Sequence, residues 1–482
     1  MTHNNPLGDK KSHKLITRKG WLMTRHFWVL LHRYAGLTMA VFLIIAGLTG
    51  SILAFYPELD RLLNPEEYFI QLQDKPLLDP FELRERALKL EPHSQVNIVP
   101  LTTKPGEVYA VVLEPKIDLN SGHSNQLRSL KLNPYTGERI PGQVHDFAHY
   151  QETGYWPLNR KNILFFIYAL HYSLALGEVG TWIFGIAATI WTLDCFVGFY
   201  LTLPMRRKSP LSLWERAVVM ARDRQMILAS PLPNPFMPQR VLPKGEGTSS
   251  FWQRWQVAWK IKWPSSTQRL NFDLHRAGGL WMWPMLLVFA WSSVMFNLHE
   301  QFYQPVMNQL FGAIDIGIPS PLAPENPVYE PIIDFRSAYH IGQRLMVEQA
   351  KINRFNVLKE ESIQYDPTLK QYTYVVVSDH DNCDIEKCFF LVTHLTFNAV
   401  TGKFLYLYLP GIKARDSIEH WLVYLHMAKI WGLPYKIFIC VMGLVITMLS
   451  VTGVYIWWKK RLATKAMQKK TTSAENIPRL NN

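Results

Sequence analysis

Four apolar stretches, each longer than the roughly 20 residues that carry a helix across a bilayer, limit this chain to a polytopic membrane fold. They cover residues 27–56, 163–204, 272–299 and 419–458 of the 482. Each carries a histidine near its beginning: His32, His171, His275 and His426. The second and fourth stretches exceed the hydrocarbon thickness and are expected to tilt or to project beyond it. The first is too long for the apolar region of a signal peptide and lacks a small-residue cleavage site, so it is expected to persist as an anchor.

The net charge of +13 is concentrated beside particular membrane ends. Lys10, Lys11, Lys14, Arg18, Lys19 and Arg25 precede or open the first stretch, Arg206, Arg207 and Lys208 follow the second, and Lys459, Lys460 and Arg461 follow the fourth. This distribution points to a lipid bilayer as partner and not to nucleic acid. The positive-inside rule places the basic arm 1–26, the linker 205–271 and the tail 459–482 in the cytoplasm. Segments 57–162 and 300–418 then face outward. In the first of these, Asp79 as cap and Pro80 at the first helical position predict a helix over Asp79–Leu90. Strands are expected at Ser94–Pro100, Val108–Glu114 and Leu127–Asn133. In the second, a helix is expected over Ile333–Ala350, with strands at Arg354–Leu358, Ser362–Asp366, Tyr372–Ser378, Phe389–Phe397 and Lys403–Leu409. Each outer segment therefore reads as an α+β domain. In the linker, Trp252, Trp255, Trp259 and Trp263 recur at helical spacing beside Arg254, Lys260 and Lys262, which predicts a helix lying at headgroup level. A tryptophan electron relay is the alternative reading. No Gly-x-Gly-x-x-Gly fingerprint follows a strand, so bound NAD or flavin is not expected.

The chain is internally duplicated. Leu31, His32, Arg33, Gly36 and Leu37 match Leu274, His275, Arg276, Gly279 and Leu280. His171, Gly177, Thr192, Gly198 and Tyr200 match His426, Gly432, Thr447, Gly453 and Tyr455. The turn from Asn133 to Gly137 has its counterpart from Asn398 to Gly402. Each half reads as helix, outer domain, helix, with an even number of crossings, so the repeats are parallel about an axis along the membrane normal. The expected architecture is an all-α four-helix transmembrane core built from two parallel repeats, with two α+β outer domains.

Imidazole inside a bilayer usually marks function, and histidine is a recurrent axial ligand of haem iron. The topology sets His32 and His275 toward the cytoplasmic side, and His171 and His426 toward the outer side. Pairing by depth then predicts two b-type haems, one held by His32 with His275 and one by His171 with His426, between facing helices of the bundle. Gly36, Gly279, Gly177 and Gly432 lie one or two turns away and would let a flat ring approach. Arg33 and Arg276 have two readings, as propionate partners or as positive-inside anchors. His299 ends the third stretch on the outer side and is an alternative ligand there, as are His145 and His149. His420 is expected near the outer pair, whereas His93, His123, His340, His380 and His394 read as surface or turn residues. Cys383 and Cys388 flank a short polar turn on the outer side, where an oxidising compartment would let them pair as a disulfide. Cys195 and Cys440 read as small buried hydrophobes.

The two Leu-His-Arg-x-x-Gly-Leu openings (Leu31–Leu37, Leu274–Leu280), the Leu-His-x5-Gly starts (Leu170–Gly177, Leu425–Gly432) and the late Gly-x-Tyr ends (Gly198–Tyr200, Gly453–Tyr455) together resemble the PepSY-associated transmembrane family. The resemblance covers nearly the whole chain except the linker and tails. Members include bacterial inner-membrane ferric-siderophore reductases. It implies a multi-pass inner-membrane protein with both termini cytoplasmic, PepSY-like periplasmic domains, and haem-dependent reduction of a ferric siderophore to release iron. The electron donor would be a quinol or a separate cytoplasmic reductase. Two rival readings are a siderophore or metal-chelate permease, which calls for broken helices at mid-membrane, and an accessory or sensor protein without redox activity. The histidine register makes a direct prediction: a pyridine haemochrome assay gives two b haems per purified chain, and His→Ala at 32, 171, 275 or 426 lowers that number.

Overall fold

The structure is a computed structural model and describes residues 24–115, 128–140, 154–204, 250–312, 327–381, 392–410 and 414–475. The expected Cys383–Cys388 disulfide, His123, His145, His149 and most of the basic arm and linker lie outside the described residues. In chain order the apolar helices are α1 (Arg25–Leu53), α4 (Ile163–Ser173), α5 (Gly177–Thr202), α7 (Thr267–Trp281), α8 (Trp283–Asn297), α11 (Ala414–His426) and α12 (Gly432–Glu475). The smaller helices are α2 (Tyr56–Leu63), α3 (Pro80–Leu90), α6 (Phe251–Trp255), α9 (Gln304–Phe311) and α10 (Phe335–Asn353). Among the described residues α1, α5 and α12 are each long and apolar enough to cross a membrane, and the pair α7–α8 forms a fourth span if counted as one.

Three of the four expected crossings are interrupted. Between α4 and α5 the backbone turns left-handed at Leu174, Ala175 and Gly177, and between α11 and α12 it does so at Ala428, Trp431 and Gly432. Gly177 and Gly432, matched in the repeat, both sit at φ +59°, a conformation that glycine adopts without a Cβ clash. The non-glycine residues beside them each cost roughly 1–2 kcal/mol. The third crossing bends by 71° between α7 and α8. Pro284 accounts for that bend, because it has no N–H and its ring crowds the carbonyl four residues earlier. The apolar stretches 163–204, 272–299 and 419–458 are thus each broken into two helices.

The described parts of the chain fall into two compact units, one drawn from residues 1–38, 193–284 and 451–482 and the other from 39–192 and 285–450. In the first, Arg25 closes the C-terminal end of α5 through the carbonyls of Leu203, at 2.9 Å, and Leu201. Trp283 donates to the Cys195 carbonyl at 2.9 Å and packs on Phe196 and Phe199. The expected interfacial helix is shorter than its tryptophan spacing suggests: α6 has five residues and continues as one 3-10 turn, Gln256–Trp259. Trp255 packs on Phe199 and donates to Thr202 Oγ1, while Trp252 and Trp263 are exposed.

In the second unit small residues let α1 and α12 touch. A Cβ added at Gly47 would stand 2.5 Å from the Gly443 carbonyl oxygen, and Ser51 Oγ donates to the Cys440 carbonyl at 2.8 Å. Close backbone approach through small residues is how helices pack where lipid removes the hydrophobic drive. The same unit holds the sheet, and here the expectation of two separate outer domains is overturned. β1 (Ser94–Pro100), β2 (Tyr109–Pro115) and β3 (Arg128–Leu132) join β4 (Val357–Asp366), β5 (Gln371–Ser378), β6 (His394–Asn398) and β7 (Phe404–Tyr408) in one antiparallel sheet of order β3-β2-β1-β4-β5-β6-β7. The junction is the β1–β4 pairing, Ile98 with Gln364 through Pro100 with Ser362. Two strands expected at 354–358 and 362–366 are one bulged strand, β4.

A single apolar core explains the merger. Phe81, Leu83 and Ala87 of α3 and Phe335, Ala338 and Met346 of α10 share one buried cluster with Val111, Ile363, Tyr372 and Phe397. Each fully buried aliphatic side chain contributes about 1.5–3 kcal/mol, so neither helix can leave the sheet cheaply. Both helices start on an aspartate: Asp79 accepts from Phe81 and Glu82 N–H, and Asp334 from Arg336 and Ser337 N–H. Arg84 lies over Phe335, Arg336 lies over Phe81, and Arg336 pairs with Asp79 at 2.8 Å. His394, expected at the surface, is half-buried in β6 and stacks on Tyr408 with ring centres 4.8 Å apart.

Glu360 on β4 accepts from Tyr339, Tyr374 and Gln343. Burial alone would raise its pKa, but the hydrogen bonds from these three groups outweigh burial and hold the carboxyl below its ordinary value. Tyr339, half-buried and bound to that carboxylate, is pushed up to about 12 by desolvation and by the carboxylate. A lowered carboxyl adds stability that is present above the unfolded pKa of about 4.3 and is lost as pH falls through the folded value. The melting temperature of the detergent-solubilised protein is therefore expected to drop below about pH 4.3, and Glu360→Gln is expected to flatten that drop while lowering the melting temperature at neutral pH.

Candidate functional site

The helix interruptions set where two of the histidines stand. His171 lies in the last turn of α4 and His426 in the last turn of α11, each just before the backbone turns left-handed. Their ring centres are 6.2 Å apart, with planes inclined at 72°. His171 Nδ1 is 3.0 Å from Thr49 Oγ1 on α1, and His426 Nδ1 is 2.6 Å from Ser292 Oγ on α8. Thr49 and Ser292 occupy matching places in the repeat. Gly50 packs directly under His171, where an added Cβ would come within 2.9 Å of the ring. Phe289 and Phe296 meet the His426 ring edge-on.

In the other unit His32 and His275 face each other in the same manner. Their ring centres are 6.1 Å apart and the planes are inclined at 59°. His32 Nδ1 is 2.9 Å from Asp194 Oδ1 on α5, and His275 Nδ1 is 3.2 Å from Thr452 Oγ1 on α12. The matched glycines Gly198 and Gly453 stand beneath the two rings, with an added Cβ 3.3 Å from His32 and 3.2 Å from His275. One turn along from each imidazole, an added Cβ at Gly36 or Gly279 meets nothing within 4 Å.

The structure thus brings together the two pairs that depth in the sequence predicts, and it fixes every Nδ1 on a side-chain oxygen. A ring nitrogen lies about 1.2 Å from the ring centre and a metal–imidazole bond is about 2.0 Å, so two imidazoles on opposite sides of one metal put their centres roughly 6.4 Å apart. Both pairs come close to that separation. Around His171 and His426 lies a cavity of about 840 Å³, lined also by Tyr56, Arg61, Lys429 and Lys436. That is within the ~300–1,000 Å³ typical of cofactor sites. Lys436 is buried and pairs with Glu58.

The other expected site residues have the following surroundings. Arg276 pairs with buried Asp273 at 2.9 Å and donates to the Val257 and Lys260 carbonyls. Arg269 pairs with the same carboxylate at 2.9 Å. Arg33 is half-buried, with no hydrogen bond or ion pair among the described residues. His299 begins a π-type turn, His299–Tyr303, and meets Tyr303; its Nε2 is buried and unpartnered among the described residues. His420 bonds to Tyr408 Oη at 3.1 Å. Sequence reasoning missed Thr49, Ser292, Thr452, Gly50 and the closely paired Asp194. The repeat could have indicated Thr49 and Ser292, which fall in register one helix away from each outer histidine.

A family model described as the PepSY-associated TM region matches residues 29–225 and 248–460. The chain belongs to this family. The two matched segments correspond to the two halves of the repeat. This PepSY-associated protein is accordingly a membrane protein, and its apolar helices contact the lipid bilayer. A comparison with curated proteins finds no match.

The glycines under the rings give a test that separates the two pairs. Gly50→Leu is expected to displace His171 and leave the His32/His275 pair intact, and Gly198→Leu to do the reverse. Histidine-selective NMR of the labelled protein is then expected to show the His171 signal moved in the first variant and the His32 signal moved in the second.

Proposed function

We propose that this PepSY-associated protein is a two-haem membrane oxidoreductase that delivers electrons to a ferric siderophore outside the bacterial inner membrane. The observation that carries the reading is the double imidazole pair, with ring centres 6.1 and 6.2 Å apart and all four Nδ1 atoms held by side-chain oxygens. A histidine bonded through one ring nitrogen presents the other as a fixed, more basic metal ligand. Among the described residues no cluster of three or more His, Cys, Asp or Glu is placed to hold a bare metal ion. Two axial imidazoles suit a metal whose remaining ligands come from a macrocycle, which favours haem. The open space beside Gly36 and Gly279, and the cavity beside His171 and His426, give a flat ring room to enter. Haem b bound at these places supplies a one-electron couple.

The residues of the chain do the rest. His32 and His275 hold one site near the basic chain ends, which the positive-inside rule assigns to the cytoplasm. His171 and His426 hold the other, in the unit that carries the sheet. Arg61 and Lys429 put cationic side chains on the cavity wall, where propionates or an anionic chelate would be attracted, while Glu58, also on the wall, pairs with Lys436. Ferrous iron binds such chelators weakly, so reduction releases it. A quinol or a separate reductase would supply the electrons.

The matched interruptions at 174–177 and 428–432 favour a second reading, since transporters bind substrate at paired broken helices. One preparation separates the two. In nanodiscs the reduced protein is expected to show two b haems and to be reoxidised by a ferric hydroxamate chelate. In sealed vesicles the same chelate is expected not to accumulate. A colourless protein that takes up no haem on supplementation, or reduced haem that the chelate leaves unchanged, overturns the reductase reading.

A further inference from the structure

The two imidazole pairs are supported alike at three of four places. His171, His275 and His426 each meet a neutral hydroxyl, from Thr49, Thr452 and Ser292. Among the described residues His32 is the one of the four with a carboxylate given as its partner, Asp194, at 2.9 Å. Here the repeat is broken: the residue matching Asp194 is Leu449, and the residue matching Thr452 is Val197. The Asp194 side chain is 8% exposed, and His32 is its one ion-pair partner among the described residues. A carboxylate buried within a crossing is costly and marks a functional place by default. Simple packing would have been met by the leucine that the other half uses.

The chemistry of the contact indicates its effect. An imidazole that gives its Nδ1 proton to a carboxylate becomes a stronger electron donor through Nε2. The added negative charge favours the more positive oxidation state of whatever metal Nε2 holds. A hydroxyl acceptor carries no net charge and does this weakly. We infer that Asp194 makes the His32/His275 site the lower-potential of the two, so that electrons run downhill from it to the His171/His426 site. This rests on the two-haem reading above. Asp194 acts through His32 and is therefore a positioning and tuning residue.

The test is a potentiometric titration of the full-length protein in nanodiscs, with haem content measured in parallel. The wild type is expected to show two one-electron waves. Asp194→Asn, which keeps the shape and removes the charge, is expected to raise only the lower wave. The rise should amount to at least a tenfold change in the reduced-to-oxidised ratio at fixed potential, about 59 mV for a one-electron couple. Asp194→Glu is expected to restore most of the lower value. Two retained haems with both waves unmoved in Asp194→Asn, or a shift confined to the upper wave, overturn the inference. Should Asp194→Asn lose haem, His426→Ala decides the matter: the single site it leaves must titrate at the lower wild-type potential, and titration at the upper one overturns the inference. A wild-type protein without haem defeats the two-haem reading itself.

Discussion

The hydrogen bond from each imidazole Nδ1 to a side chain on another helix organises everything else in the membrane part. His32 on α1 is held from α5 and His171 on α4 from α1; His275 on α7 is held from α12 and His426 on α11 from α8. Every one of these bonds stays within one half of the repeat. The ring-to-ring pairs, by contrast, cross from one half to the other. Each half is thus braced internally, and the halves meet at the imidazole pairs, at the α1–α12 contact and along the β1–β4 ladder. A single buried hydrogen bond is worth only about 1 kcal/mol net. Its larger effect is to fix which nitrogen points inward.

Much of this was readable from residue order alone. The four histidines stand out because imidazole is rare in apolar runs, and the duplicated Leu-His-Arg and Leu-His motifs pair them without any coordinate. The cap Asp79 with Pro80 after it is a local signal, and the structure keeps it, as it keeps the strands expected at 94–100 and 372–378. Strand partnership was not legible. β1 ends at Pro100 and β4 begins at Val357, in the other half of the repeat, and nothing in either strand names the other. Read apart, the two outer segments look self-sufficient; only the shared burial of Phe81 and Phe335 shows that they are not.

The helix interruptions were hidden for a different reason. Leu174, Ala175, Ala428 and Trp431 carry no turn chemistry, so the apolar run reads through them, and the matched glycines Gly177 and Gly432 were the only hint. The Pro284 bend was legible in principle. Arg276 kept two readings, propionate partner or positive-inside anchor; the structure adds its ion pair with Asp273, three residues earlier on the same helix.

The continuous sheet has a mechanical corollary. A machine that works by rocking one repeat against the other needs its halves free to pivot. Here the antiparallel ladder between β1 and β4, together with the crossed arginines Arg84 and Arg336, stitches the halves into one slab at that end. Pivoting would have to unzip backbone pairing and expose an apolar core. Whatever this scaffold does, it does with that end of its two halves held together.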